Sequence, residues 1–209
     1  MISIITLSLV VSGVALAIAG ALGIPAGAAL ALRPVRGQRV IVLLIYTGMG
    51  LPPVVVGLFV YVALSRSGPF GSLGWLFTPA AMIAAQTIIA FPLVTALTMS
   101  AVDGVDRDLR LQIRALGATR SQLAWTVLRE ARIGVTAAIV AAFGGIISEV
   151  GAVMLVGGNI EGQTRVLTTA IVLYARQGDF ALAMALGLIL IALALVANAL
   201  LLQLQGRSR

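Results

Sequence analysis

The sequence predicts an all-α integral membrane protein with about five transmembrane helices. Of its 209 residues, 60% are hydrophobic and only 10% are charged, whereas ordinary soluble domains carry roughly 25% charged residues. Five apolar stretches reach the ~20 residues that a helix needs to cross a bilayer. They are residues 2–32, 40–65, 67–102, 133–158 and 180–206. Because they leave no room for a soluble domain, we expect residues 1–209 to form a single multi-pass domain in the cell membrane.

The composition also excludes several kinds of chemistry. The chain has no cysteine and no histidine, so it offers no thiolate or imidazole ligand for a metal and no side-chain base that titrates near neutral pH. It also lacks the G-x-x-x-x-G-K-S/T loop that cradles phosphates in ATPases. We therefore expect no metal site, no bound cofactor and no catalytic activity from the chain itself.

The first stretch is predicted to be a transmembrane helix rather than a cleaved signal peptide. No positive residue precedes Arg33, and the apolar run is longer than the roughly 7–15 residues of a signal-peptide core. We therefore expect it to remain in the mature protein.

Prolines interrupt the second and third stretches. Pro52 and Pro53 lie within the second, and Pro92 lies within the third, between Phe91 and Leu93. Each proline frees a backbone carbonyl, which in a bilayer must be covered by neighbouring helices or face water. For the double proline we favour a break that lines a path, whereas at Pro92 a packing kink and a path-lining break are equally compatible with the sequence.

The charged loop of residues 101–132 is predicted to form a helix-turn-helix. Apolar residues recur at helical spacing in its first half; they are Val105, Leu109, Ile113 and Leu116. Gly117 then ends this helix, and Thr119 with Gln122 forms a capping box that starts a second helix through Leu123, Val127 and Leu128.

Two functions fit this loop equally well on periodicity alone. It could dock a cytoplasmic partner, or it could lie on anionic lipid headgroups. In the second case Asp103 with Arg107, and Asp106 with Arg110, would form ordinary ion pairs four residues apart.

Glu149 is the only acid within an apolar stretch. A charge at the bilayer centre costs roughly 2.5–3.5 kcal/mol, so this carboxylate should be neutralised, paired or close to water. It could act in a gate, or it could bond structurally to the backbone of a broken helix or to Ser148. It is not expected to bind an anion directly, because like charges repel.

The ten residues 166–175 are uncharged but too short to cross the membrane. They are predicted to be re-entrant or interfacial.

The arginines predict the orientation. Eleven fall on one side of the five stretches and three on the other, and the richer side of a membrane protein faces the cytoplasm. The eleven are Arg33, Arg36, Arg39, Arg107, Arg110, Arg114, Arg120, Arg129, Arg132, Arg207 and Arg209; the three are Arg66, Arg165 and Arg176. The N-terminus is thus expected outside and the C-terminus in the cytoplasm.

The loop also resembles a known motif. Residues 114–120, Arg-Ala-Leu-Gly-Ala-Thr-Arg, resemble the EAA loop of ABC importer permeases, usually E-A-A-x3-G-x9-I-x-L-P. Gly117 matches its glycine, and Val127 falls on its isoleucine. The chain departs from the motif where Leu111, Gln112 and Ile113 replace Glu-Ala-Ala and Arg129-Glu130 replaces Leu-Pro.

Downstream residues resemble one branch of these permeases. Residues 148–160, Gly162, residues 164–171 and residues 178–180 are similar to the molybdate/tungstate/sulfate branch and most like tungstate-type permeases. The proline segments 51–57 and 91–93 fit the same branch, so the resemblance covers nearly the whole chain.

The resemblance implies a type I ABC importer permease that pairs with a second copy of itself and moves an oxyanion into the cytoplasm. Partner ATPase subunits, which carry ATP and Mg, would dock on the loop, and an extracytoplasmic binding protein would deliver the anion. Tungstate is favoured, with molybdate or sulfate as alternatives. A non-transporting membrane scaffold that recruits a partner through the loop is a more remote alternative.

Two sets of candidate residues follow. The ATPase-docking set is Leu109, Ile113, Arg114, Ala115, Leu116, Gly117, Ala118 and Arg120. The substrate path or gate is assigned to the prolines, the buried acid and the groups near it that could favour an oxyanion through N–H or hydroxyl donors: Pro52, Pro53, Val55, Pro92, Glu149, Gly151, Val153, Gly157, Gly158, Asn159, Thr164 and Thr168.

Overall fold

The computed structural model describes residues 1–33 and 35–206, and every regular element in these ranges is helical. Arg207 and Arg209 of the arginine count lie outside the described residues. The first half contains α1 (Ile2–Leu32), α2 (Gln38–Met49), α3 (Pro53–Leu64) and α4 (Pro79–Asp103), with a 3-10 turn at Gly71–Leu73. The second half contains α5 (Arg107–Ala115), α6 (Arg120–Glu130), α7 (Arg132–Ile147), α8 (Gly151–Gly157), α9 (Leu167–Arg176) and α10 (Phe180–Gly206).

The five predicted spans are the upper limit of what the helix lengths and composition allow. Within the described ranges, α1, α4 and α10 are long and apolar enough to cross a membrane, and the number reaches five when the bent pairs α2–α3 and α6–α7 each count as one span. The all-α membrane fold is therefore confirmed. The short stretch 166–175 forms α9, which at ten residues is too short to span a bilayer.

Helix α4 lies at the centre of the bundle. It packs against α1, α2, α3, α7 and α8, with the most extensive contact along α1. Small residues allow this close approach. A Cβ atom added to Gly27 of α1 would lie 2.5 Å from the carbonyl oxygen of Thr95 in α4, so only glycine fits there.

The double proline breaks the second span as predicted. Helix α2 ends at Met49 and α3 begins at Pro53, and their axes differ by 103°. Pro53 occupies the first turn of α3, where the missing N–H has no helical partner to lose. Pro92, in contrast, does not interrupt its helix, because α4 continues through it to Asp103. Its side chain is buried.

Two predicted spans were too long. The third begins at Pro79 rather than at residue 67, because the segment before it is rich in glycine, serine and proline and forms turns. The apolar stretch 133–158 is not one helix: α7 ends at Ile147, and α8 begins only at Gly151. Apolar composition does not reveal this break, because two of the polar bonds that hold it come from side chains on other helices, Gln86 and Thr168.

Candidate functional site

The break between α7 and α8 is held by side chains from inside and outside it. The Oε1 atom of Glu149 accepts a hydrogen bond from the N–H of Ala152 at 2.9 Å, at the start of α8. Thr168 of α9 donates its hydroxyl to the carbonyl of Glu149 at 2.8 Å. The hydroxyl of Ser148 donates a hydrogen bond to the carbonyl of Gly144 at 2.7 Å. Part of the backbone freed by the break thus finds hydrogen-bond partners within the protein.

Gln86 of α4 is a further support that the sequence analysis did not identify. Its side chain is 3% exposed, and its Nε2 donates to the carbonyl of Ile146 at 2.8 Å, in the last turn of α7. Its Oε1 is buried and has no hydrogen-bond partner among the described residues. The available signal was that Gln86 is the only amide side chain within the apolar stretch 67–102, since polar groups in a span usually have a role.

The two breaks lie side by side because α3 packs directly on α8. A Cβ atom on Gly57 of α3 would lie 2.5 Å from the Cα of Ala152 in α8. One turn earlier in α3, Val54 lies against Gly151. The double-proline segment and the Glu149 segment therefore form one site, although 97 residues separate Pro52 from Glu149.

The candidate path residues divide by exposure. Pro52, Val55 and Gly158 are exposed, and Pro53, Glu149, Gly151 and Asn159 are half-buried. The remaining members are buried within the single chain: Pro92, Val153, Gly157, Thr164 and Thr168. Val153 is 1% exposed and belongs to the core between α3, α4 and α8, whereas Val55 is 37% exposed.

Thr164 forms hydrogen bonds that hold a loop, and Pro92 packs against a neighbouring helix. The hydroxyl of Thr164 donates to the carbonyl of Gly157 at 2.5 Å and accepts from the N–H of Ile160 at 2.9 Å, which closes the loop after α8. Gly158 and Asn159 in that loop have φ of +71° and +51°. Pro92 lies against Gly48 of α2, where an added Cβ would be 3.0 Å from the proline ring.

The charged loop forms the predicted helix-turn-helix. Asp106 caps α5 by accepting a hydrogen bond from the N–H of Asp108 at 2.8 Å. Gly117 follows with φ of +79°, in the left-handed region that glycine adopts without strain. Thr119 and Gln122 then form the full capping box of α6, with hydrogen bonds of 3.3 and 2.8 Å.

The apolar stripe of α5 is shorter than predicted. Leu109 and Ile113 pack against a cluster that includes Leu123 and Val127 of α6. Leu116 is wrongly assigned to the stripe: it lies after the helix end and is 86% exposed. Val105 is buried but precedes the helix.

The tip of the loop is an exposed surface with mixed character. Arg114, Ala115, Leu116, Gly117 and Arg120 are exposed and Ala118 is half-buried. The ion pairs of Asp103 and Asp106 that belonged to the lipid-contact alternative are absent from the described part of the chain. Arg110 instead donates its guanidinium to the carbonyl of Val102.

The chain matches known transport proteins along most of its length. Residues 23–209 match the family described as "binding-protein-dependent transport system inner membrane component". The chain is 47% identical over 205 residues to a probable anion ABC transporter permease protein of Haloferax volcanii, covering 96% of this chain and 88% of that protein. It is 41% identical over 203 residues to the tungstate uptake system permease protein TupB of Peptoclostridium acidaminophilum, covering 97% and 89%.

A solved structure has the same arrangement of helices. The inward-facing MetNI methionine ABC transporter is similar with a TM-score of 0.80, at 18% identity, over 98% of this chain and 94% of that chain. At this identity the likeness concerns the fold alone.

Proposed function

The chain belongs to the family of binding-protein-dependent transport system inner membrane components, and from its similarity to a tungstate permease we propose that it carries tungstate into the cell. It is the membrane-spanning permease subunit of an ABC importer for an oxyanion, and it is not an enzyme. The observation that carries the choice of tungstate is the 41% identity to the tungstate uptake permease, which extends over nearly the whole chain. Molybdate, another tetrahedral oxyanion, is the main competing substrate.

The family implies two kinds of partner, an ATPase and a substrate-binding protein. We propose that the permease forms a homodimer with two cytoplasmic ATPase subunits, which bind the ATP and Mg, and that the binding protein delivers the anion from outside. ATP binding draws the two docked loops together and opens the path outward, and hydrolysis reverses the motion. The N-terminus then lies outside and the C-terminus in the cytoplasm, as the arginine distribution indicates.

The double-proline break and the adjacent break between α7 and α8, which we call the joined breaks, are our candidate for the anion path. Broken backbone inside a membrane is stable only where protein covers it or where it lines a water-filled cavity. Pro52 and Val55 are exposed and Glu149 is half-buried, and this exposure supports the proposal that they face a path at the dimer axis. Val153, Thr164 and Thr168 are buried, and the hydroxyls of the two threonines support the backbone of the proposed path through hydrogen bonds. A sparse polar lining suits a path, because tight binding would slow release.

The loop tip is our candidate for the ATPase contact. Exposed Leu116 offers an apolar anchor, and Arg114 and Arg120 flank it with positive charge. Leu109 and Ile113 act indirectly, since they pack α5 onto α6 and fix the direction in which the tip projects.

The choice of tungstate is tested by two measurements, one on the binding protein and one on the permease in cells. Calorimetry of the purified binding protein with tungstate, molybdate and sulfate gives the anion preference of the system. Accumulation of each anion is then measured in cells that lack this permease and in cells that regain it. Tungstate should bind most tightly and accumulate only with the permease. A higher affinity and uptake for molybdate or sulfate would reassign the substrate.

A further inference from the structure

A cavity of about 350 Å³ lies where the loop meets the membrane, between α1, α6 and α7. Among its lining residues, we call Trp125, Arg129 and Arg132, which carry N–H donors, the polar wall, and we call Ile24, Leu128 and Val135 the apolar wall. The volume falls within the roughly 300–1,000 Å³ of pockets that hold small ligands. The cavity belongs neither to the joined breaks nor to the loop tip.

The polar wall carries two positive charges without an ion-pair partner. Arg129 and Arg132 are exposed, and neither forms an ion pair within residues 1–33 and 35–206. Glu130 stands between them in the sequence but is not bonded to either. The hydroxyl of Thr136, at the edge of the cavity, is already engaged with the carbonyl of Arg132 at 2.8 Å. The ligand is therefore expected to be an anion held by guanidinium groups.

The apolar wall places the cavity at the membrane surface. Ile24 belongs to α1, a candidate span, and Val135 lies in the first turn of α7, where the bent pair α6–α7 turns by 71°. Trp125 is 71% exposed, and tryptophan is enriched at the depth of lipid headgroups. The cavity is thus expected at the depth where lipid headgroups meet acyl chains.

We propose that this cavity binds one anionic phospholipid. Its phosphate lies between Arg129 and Arg132, the indole of Trp125 packs at the level of the glycerol, and an acyl chain follows Ile24 and Val135. A zwitterionic lipid carries a cation that the two arginines repel, and free phosphate has no chain to fill the apolar wall. Charge and shape together favour an anionic lipid.

The bound lipid would connect the loop to the membrane span. It touches α6 on one side of the 71° bend and α7 on the other, so it fixes the angle between them. If the loop docks the ATPase as proposed above, anionic lipid should also raise ATPase activity. That consequence depends on the proposed docking role, whereas lipid binding itself does not.

Lipid binding can be measured through the fluorescence of the Trp125 indole. The chain has two tryptophans, so Trp75→Phe leaves Trp125 as the only indole. The purified variant is placed in phosphatidylcholine vesicles containing either brominated phosphatidylglycerol or brominated phosphatidylcholine, since bromine quenches a nearby indole. We expect brominated phosphatidylglycerol to quench at a concentration on the order of tenfold lower, and unlabelled phosphatidylglycerol to reverse the quenching.

Matched variants separate this site from general attraction to the surface. Arg129→Gln with Arg132→Gln should abolish the preference, whereas Arg107→Gln, an exposed arginine of the same loop that does not line the cavity, should keep it. Equal quenching by both lipids, or the same loss in the Arg107 variant, would overturn the proposal. So would displacement by inorganic phosphate, or complete protection of Trp125 by the purified ATPase, which would make the cavity a protein contact.

Discussion

The side chain and the backbone of Glu149 each form a hydrogen bond that holds the break between α7 and α8. Its carboxylate accepts the N–H of Ala152 and so caps α8, while its own carbonyl accepts the hydroxyl of Thr168. Of the two roles that the sequence left open, the bond to a broken-helix backbone is present. A role in gating is untested and is compatible with this bond, because the residue is half-buried beside the exposed proline break.

We expect Glu149→Gln to preserve folding and uptake, because the amide oxygen can still accept the N–H of Ala152. Glu149→Ala removes the acceptor and should cost about 0.5–2 kcal/mol, as for other lost helix caps. Thermal unfolding of the purified permease measures this cost, and anion uptake and ATPase rates measure function. If Glu149→Gln uncouples ATP hydrolysis from uptake while the protein stays fully stable, the charge itself acts in gating.

The hydrogen bond of Gln86 shows why the contacts that support the break between α7 and α8 could be predicted only in part. A single amide in an apolar stretch is a recognisable signal, but its partner, the carbonyl of Ile146, lies 60 residues away in the sequence. No local pattern specifies which helix will lie beside another. The sequence offers both Thr168 and Glu149 as candidates, yet their mutual bond depends on how α9 packs.

The elements differ in how far local sequence determined them. Capping residues and Gly117 are local signals, and they correctly predicted the turn and the start of α6, whereas α1 was predicted from its length and hydropathy. The break after Ile147 and the continuity through Pro92 depend on tertiary contacts. Pro92 can stay within α4 because neighbouring helices cover it, which hydropathy alone does not show.

The turn between α5 and α6 gives a direct test of the docking loop. Gly117 has φ of +79°, and no atom lies within 4 Å of where its Cβ would be. The cost of replacing it is therefore conformational, about 1–2 kcal/mol for most residues. We expect Gly117→Val to insert normally but to bind the ATPase roughly tenfold more weakly, as judged by co-purification and titration.

Gly117→Asn is the matched control, because asparagine tolerates the left-handed region. It should retain most ATPase binding. If Gly117→Val binds the ATPase as well as the unmodified chain does, the loop is not the docking surface.

At the scale of the whole molecule, the fold is a bundle around α4 with a charged helix pair at one end and a loop of turns at the other. The helix content and the approximate number of spans followed from composition and length. The juxtaposition of the two breaks did not, since residues 51–57 and 148–158 meet only through the packing of α3 on α8.

The orientation can be tested with single cysteines because the native chain has none. Ser121 lies at the start of α6 and Ser72 in the turn after α3, and both are exposed. We expect a cysteine at Ser121 to react with a membrane-impermeant reagent only after the cells are opened, and one at Ser72 to react in intact cells. The opposite pattern would reverse the topology.

The most direct measurement is ATP-driven uptake of tungstate by proteoliposomes that contain only this permease, its ATPase and its binding protein. We expect tungstate and the binding protein supplied outside to give accumulation in the lumen when ATP is enclosed there on the side of the charged loop, and no accumulation when the permease, ATP or the binding protein is omitted. Stable assembly of the complex without ATP-dependent accumulation of tungstate, molybdate or sulfate would contradict the assignment as an oxyanion importer.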